Sequence, residues 1–234
     1  MLAGTIIVLI LAAISVVMDL RSLALILRAP DSGLSIVIVD TGEWLQLGYS
    51  RGETSFIAAN ELHVPAGALV TIDWRGPNLV GWSAHDVSPI AEGQSSLIAR
   101  DAGIDDVWLV RLWPAPRQRR LRIVADTPAT FERWFQNESR PAVPTALAPL
   151  FTSSGCSYCH VIRGVNEKPW KAAPDLTHFA GRRTIAASMI PNQRGFLAGW
   201  IVESRALKCT SKMPPNPLQP AVLQQLLHYL ESLQ

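Results

Sequence analysis

Cys156-Ser157-Tyr158-Cys159-His160 decides how this chain is read. Two cysteines at i and i+3 with a histidine directly after form the pattern of a c-type haem attachment site. Each thiol can form a thioether to one haem vinyl group. His160 is then held where its imidazole reaches the iron. A dithiol redox pair leaves the trailing histidine without a purpose. A zinc site needs further ligands at suitable spacing, and the chain has only one other cysteine, Cys209. The motif therefore implies one covalent haem c.

Upstream, Thr145 is placed to cap a helix beginning at Ala146, with Leu147 and Phe151 four residues apart on one face. Such a helix delivers Cys156 and Cys159, and it resembles the N-terminal helix of a class I cytochrome c. The sixth iron ligand is expected downstream, and the candidates are Met189, Met213, His178 and His228. Met213 is preferred. It lies 53 residues after His160, in Lys212-Met213-Pro214-Pro215, an extended setting that presents a thioether to iron. His/Met ligation raises the potential of a c-type haem. Met189 reads as packing at a helix start.

Pro174-Asp175-Leu176-Thr177 resembles the Gly-Pro-Asp-Leu-Thr segment of cytochromes c. By that resemblance the Pro174 carbonyl accepts a hydrogen bond from His160 and orients it. Arg182 and Arg183 follow, and either a propionate partner or plain surface charge accounts for them. Phe196–Leu207 reads as one helix, with Trp200 near the haem edge. Pro220–Leu233 reads as the last helix, with Leu223, Leu226, Leu227 and Leu230 as its apolar stripe. Tyr229 and Leu230 are expected to cross the first helix near Leu147 and Phe151.

Residues 34–135 read as β structure. Leu34–Val39, Glu61–Pro65, Leu69–Trp74, Ser95–Ala99, Val107–Leu112 and Leu121–Val124 are short runs separated by turn residues, the pattern of a sandwich or barrel. Thr130–Asn137 reads as a short helix with Phe131, Trp134 and Phe135 at helical spacing.

Three segments here resemble cytochrome c oxidase subunit II. Gly42-Glu43-Trp44-Leu45-Gln46-Leu47-Gly48-Tyr49 is similar to its aromatic-rich strand. Asn60-Glu61-Leu62-His63-Val64-Pro65-Ala66-Gly67 resembles its Asn-Glu-Leu-His-Ile-Pro-x-Gly segment. Pro128–Trp134 resembles its closing Pro-x-x-Phe-x-x-Trp. The resemblance implies a cupredoxin β-sandwich. Some proteins of that family carry a C-terminal cytochrome c domain, so it covers nearly the whole chain.

The departures concern copper. The family's binuclear CuA centre takes two cysteines, two histidines, a methionine and a backbone carbonyl, and thiolates bridge its copper. The corresponding loop, Arg111–Arg122, contains no Cys, His or Met. Gly81 stands where the family has its first copper histidine. His63 belongs to an ordinary strand, and His85 stands alone. No CuA is expected. The run Arg117, Arg119, Arg120, Arg122 is either a solvated turn or a docking or propionate-neutralising patch. Trp82, Trp108 and Trp113 read as packing.

Ala3–Met18 carries no charge, and apolar character continues through Leu27. With about 20 apolar residues needed for a span, this stretch reads as a retained transmembrane anchor. A cleaved signal would show a basic start and a small-x-small site. Arg21 and Arg28 follow the span, which argues for the opposite orientation. The export needed for covalent haem attachment outweighs them.

The expected organisation is an anchor at 1–28, a cupredoxin-like domain at 29–138, a Pro/Ala linker at 139–145 acting as a semi-extended spacer, and an all-α cytochrome c domain at 146–234. Residues 29–144 carry 10 Lys/Arg and 14 Asp/Glu, against 9 and 4 in residues 145–234. This asymmetry fits two units with different faces. The overall balance, 21 basic against 19 acidic, excludes a nucleic-acid-binding surface as the main theme.

The resemblance implies an electron-transfer subunit of a haem–copper oxidase, single-pass in the bacterial inner membrane, with its soluble domains on the periplasmic side. Its partners would be the polytopic subunit I and a soluble or membrane-bound cytochrome or copper protein as donor. The alternatives are the haem c subunit of a nitric oxide reductase, or a haem-based sensor with a labile sixth ligand.

Overall fold

The computed structural model describes residues 29–76, 79–82, 93–99, 101–111, 117–167 and 172–234. The expected anchor at 1–28 lies outside the described residues, as do His85 and Trp113. Among the described residues no helix is long and apolar enough to cross a membrane.

Among the described residues, nine strands form two facing sheets. They are β1 (Asp31–Asp40), β2 (Leu45–Arg51), β3 (Thr54–Ala59), β4 (Glu61–Pro65), β5 (Leu69–Arg75), β6 (Leu79–Trp82), β7 (Gly93–Leu97), β8 (Gly103–Arg111) and β9 (Arg117–Asp126). One sheet has the order β3-β2-β1-β5-β7, the other β4-β9-β8-β6. Both are mixed, because β1 runs parallel to β5 and β4 parallel to β9. In β1 alternate residues Leu34, Ile36 and Ile38 are buried, the period-2 signature of a strand with one face on a core. They meet Leu62, Val64, Leu121 and Ile123 of the opposite sheet in one apolar cluster.

The chain passes from the first sheet to the second at Asn60, whose φ is 65°. Asparagine accepts this left-handed geometry better than most residues. Its N–H donates to Leu45 O at 3.1 Å, and its Oδ1 accepts the Leu45 N–H at 3.0 Å. His63 Nδ1 lies 2.8 Å from Asp126 Oδ2, and its ring stacks on Trp134 at 4.2 Å. That is the structural role the sequence assigns to it.

Helix α1 (Pro128–Ser139) packs Phe131 and Phe135 into the sandwich core. Thr127 caps it, accepting the Thr130 N–H at 3.3 Å. The Pro/Ala segment after it is extended, but it is not a free spacer. Ala142 N–H donates to Arg163 O at 2.9 Å, the Arg163 guanidinium donates to Ser139 O at 3.2 Å, and His178 Nε2 lies 2.9 Å from Arg140 O. Pro144 has no N–H to offer the Arg140 carbonyl, and the helical portion supplies the donors to Ser139 O and Arg140 O.

The helical portion comprises α2 (Ala148–Ser153), β10 (Thr184–Ile185), β11 (Ile190–Pro191), α3 (Arg194–Val202), α4 (Ser204–Leu207) and α5 (Pro220–Glu231). Helix α2 starts two residues later than the sequence implies. A start at Ala146 would need residue 149 to donate to the Thr145 carbonyl, and Pro149 has no N–H. Phe196–Leu207 is two helices, α3 and α4. They are interrupted at extended Glu203 (φ −151°), whose side chain accepts the Arg205 N–H. Met189 is 54% exposed in a turn before β11, rather than packed at a helix start. On α5, Leu226, Leu227, Tyr229 and Leu230 are buried in one cluster with Phe151 of α2.

Candidate haem site

A single 3₁₀ turn, Cys156–Tyr158, follows α2. Gly155 precedes it at φ 79°, a conformation glycine adopts without steric cost. His160 N–H closes the turn onto Cys156 O at 2.9 Å. Asn166 braces it, donating to His160 O at 3.0 Å and accepting the Ile162 N–H at 2.8 Å.

His160 Nδ1 lies 2.7 Å from Pro174 O. A carbonyl oxygen only accepts, so Nδ1 carries the proton and Nε2 keeps its lone pair, the tautomer needed to bind a metal. Burial holds the His160 pKa below its usual value and keeps the ring neutral. The Pro174 hydrogen bond opposes that effect.

Met213 sits in the loop after α4. The Ser204 hydroxyl lies 2.8 Å from Met213 O and 2.9 Å from Ser211 Oγ, and Ser211 Oγ accepts the Met213 N–H at 3.2 Å. Asn216 Nδ2 donates to Ser154 O at 2.9 Å, tying this loop to the end of α2 beside the cysteines. Ser204 and Ser211 are buried. Sequence reading missed this polar frame. Its signal was a serine on each side of a short helix leading into Met-Pro-Pro.

Cys156, Cys159, His160, Pro174 and Met213 all line one cavity of about 520 Å³. Leu176, Phe179, Ile185 and Trp200 supply much of its apolar wall. Of the four candidate sixth ligands, Met213 is the one on this wall. His178 instead faces Arg140 O and Gln234 O, and His228 and Met189 are exposed.

The residues fit a covalent haem. They bring two thiols, a neutral imidazole with its lone pair available and a thioether to a cavity within the usual range of about 300–1,000 Å³ for bound small molecules. They fit a redox dithiol poorly. Burial pushes the Cys156 thiol up to about 11, whereas such pairs work through lowered values.

The two adjacent arginines separate. Arg182 lines the cavity, donates to Asp175 O and lies over the Phe179 ring at 5.9 Å. Burial lowers its pKa, against the opposing pull of the Glu138, Asp175 and Glu61 carboxylates. Arg183 is exposed, and its backbone N–H donates to Glu61 Oε2 at 3.0 Å. In the arginine run on β9, Arg122 pairs with Asp106 at 3.0 Å, and Arg120 donates to Ser188 O. Neither lines the cavity.

One stretch of the cavity wall comes from the sandwich: Thr41, Glu43, Trp44 and Asn60. Beside it Glu61, 4% exposed, accepts from the Thr184 hydroxyl at 2.6 Å. The sequence placed these residues on ordinary strands, and nothing local marked them as neighbours of the haem motif.

No protein-family model and no curated protein matches the chain. Among solved structures, a mutant of amicyanin in its reduced Cu(I) form at pH 4 is similar at 20% identity and a TM-score of 0.26, covering 42% of this chain and 87% of that one. An oxidized mutant of amicyanin is similar at 23% identity and a TM-score of 0.25, with the same coverage of both chains. The similarity is weak and covers less than half of the chain, whose described residues form a β-sheet-rich portion with helices beside it.

Proposed function

We propose that the chain is an electron-transfer subunit carrying one covalent haem c in a membrane respiratory complex. The observation behind this reading is that Cys156, Cys159, His160 and Met213 share one cavity wall, with His160 Nδ1 donating to Pro174 O at 2.7 Å. Bound haem c supplies a one-electron couple whose potential is raised by His/Met ligation. Cys156 and Cys159 hold the group through thioethers. Pro174 orients the imidazole through His160 Nδ1, and His160 and Met213 are the side chains that would bind its iron. A haem held by both His160 and Met213 would serve electron transfer, because the protein itself would supply its ligands. Arg182 is the arginine we assign to a propionate, because it is the one of its pair that lines the cavity.

In this reading residues 1–28 anchor the chain in the bacterial inner membrane, with the soluble portions on the periplasmic side. The electron donor is a cytochrome or copper protein, and the acceptor is the polytopic subunit of a haem–copper oxidase. The chain itself carries no CuA, because the loop at Arg111–Arg122 has no thiolate, imidazole or thioether to offer.

The test is purification in mild detergent, with three readouts. The pyridine haemochrome spectrum is expected to show one two-thioether haem per chain. Metal analysis is expected to give iron without copper on this subunit. The co-purifying polytopic subunit distinguishes an oxidase from a nitric oxide reductase by its active-site ligands. Cys156→Ala or Cys159→Ala is expected to lose the two-thioether spectrum, and its retention would refute the haem assignment.

A further inference from the structure

Two independent sets of contacts run from the sandwich to the cavity wall. The first is charged. Glu43, in the turn between β1 and β2, accepts a hydrogen bond from Lys208 Nζ at its backbone oxygen (3.0 Å), and its carboxylate lies 3.8 Å from Lys208 Nζ and 3.8 Å from Lys212 Nζ. Lys212 immediately precedes Met213, and Lys208 follows α4, whose Ser204 frames the same loop. Glu43 thus pins both ends of the segment that presents the thioether.

The second set acts on backbone strain. Ala186, Ala187 and Ser188 are consecutive non-glycine residues with φ of 56°, 62° and 65°. Each such residue costs on the order of 1 kcal/mol or more and persists only where its surroundings impose it. Ala186 and Ala187 line the cavity. Ser188 is fully buried; its hydroxyl donates to Asn60 O at 3.3 Å, and its carbonyl accepts from Arg120. Both partners belong to the sandwich. Trp44 and Asn60, 5% and 8% exposed, also line the cavity.

We infer that the sandwich works as a clamp on the haem site, with Glu43 and Asn60 as positioning residues that hold Met213 in place as axial ligand. This rests on the haem reading above. It gives the sandwich a task that needs no copper. Asn60 and Arg120 stabilise the left-handed turn against relaxation into the cavity. Glu43 limits the excursions of the Lys208–Met213 segment, so that the thioether stays within reach of the metal. Removing the clamp leaves the thioether-bonded cysteines and His160 untouched, because none of the clamp contacts involves them.

The test uses the full-length protein in its purified complex. Glu43→Ala removes the carboxylate. Ser188→Ala removes the hydroxyl that donates to the Asn60 carbonyl and leaves the backbone as it is. Far-ultraviolet circular dichroism checks folding, and Glu43→Gln, which keeps the shape and the backbone acceptor, serves if Glu43→Ala does not fold. The pyridine haemochrome spectrum counts covalent haem. The long-wavelength Met–Fe(III) charge-transfer band and CO uptake by the reduced protein report on the Met213 bond.

The expected result is unchanged covalent haem, loss of the Met band and a rise in the CO-bound fraction. The charge swap Glu43→Lys with Lys208→Glu is expected to restore the band. An unchanged band and unchanged CO uptake in both single variants would overturn the clamp while leaving the haem reading intact. Absence of covalent haem from the wild-type protein would instead remove the reading beneath it.

Discussion

At the scale of single residues, Met213 and Tyr229 show how differently two side chains of the helical portion contribute. Met213 is held by Ser204 and Ser211 through its backbone, which leaves the side chain to face the cavity. Met213→Ala is expected to keep the covalent haem, abolish the Met–Fe(III) band and let the reduced protein bind CO. Visible absorption spectra before and after CO check this, and a variant that still refuses CO would point to another sixth ligand. The Tyr229 hydroxyl, by contrast, is buried without a hydrogen-bond partner among the described residues, and burial raises its pKa. A buried unpaired hydroxyl costs about 1–3 kcal/mol. Tyr229→Phe is therefore expected to leave stability equal or higher by about 1 kcal/mol, read as the urea midpoint. A clear loss of stability would mean the hydroxyl has a partner.

At the scale of elements, α5 and the segment after α1 carry the helical portion. Leu226 and Leu227 are fully buried and pack in one cluster with Phe151. Leu227→Ala is expected to cost about 2–5 kcal/mol, as lost burial plus cavity, measured by denaturant titration of the holoprotein. The extended segment makes a tighter demand. Gly164 has φ +85°, and a Cβ there would meet Ala142 O at 2.5 Å and Pro141 Cβ at 3.1 Å. Gly164→Ala is thus expected to destabilise by more than about 1 kcal/mol and to speed protease cleavage within residues 139–145. Cleavage at the wild-type rate would show that the segment is not docked there. The strand runs and the apolar stripe of α5 were legible in the sequence because each follows the period of its own secondary structure. The docking of the Pro/Ala segment was not, because its partner carbonyls and donors lie on Arg163 and His178, many residues away.

At the scale of the whole molecule, Glu61 joins the two portions. It is 4% exposed, and its two oxygens accept from Arg183 N–H at 3.0 Å and the Thr184 hydroxyl at 2.6 Å. Hydrogen bonds to a charged group are worth about 1.5–3 kcal/mol each. Glu61→Ala is expected to weaken the contact by about 3 kcal/mol and to split one unfolding transition into two, seen by calorimetry of the intact chain. A single transition at an unchanged temperature would show that the portions are held by other contacts. Arg120 and Asn60 act across the same boundary through Ser188.

The sequence by itself named the chemistry. Two thiols and an imidazole in five residues and a methionine between a lysine and two prolines are local features, legible because their spacing or flanking residues mark them, whereas the proline facing the histidine was implied by the resemblance of Pro174–Thr177 to a cytochrome c segment. It also showed that Arg111–Arg122 contains no Cys, His or Met, since an absent residue type can be read without a fold. Only the tertiary structure decided what surrounds that chemistry. It selected Arg182 over Arg183 for the cavity, set Met189 outside it, and brought Glu43, Trp44 and Asn60 of the sandwich onto a wall shared with Cys156 and His160, about a hundred residues away in sequence. Contacts of that separation have no period and no motif. They arise when two folded surfaces meet, and the burial of Asn60 and Glu61 shows only in the structure.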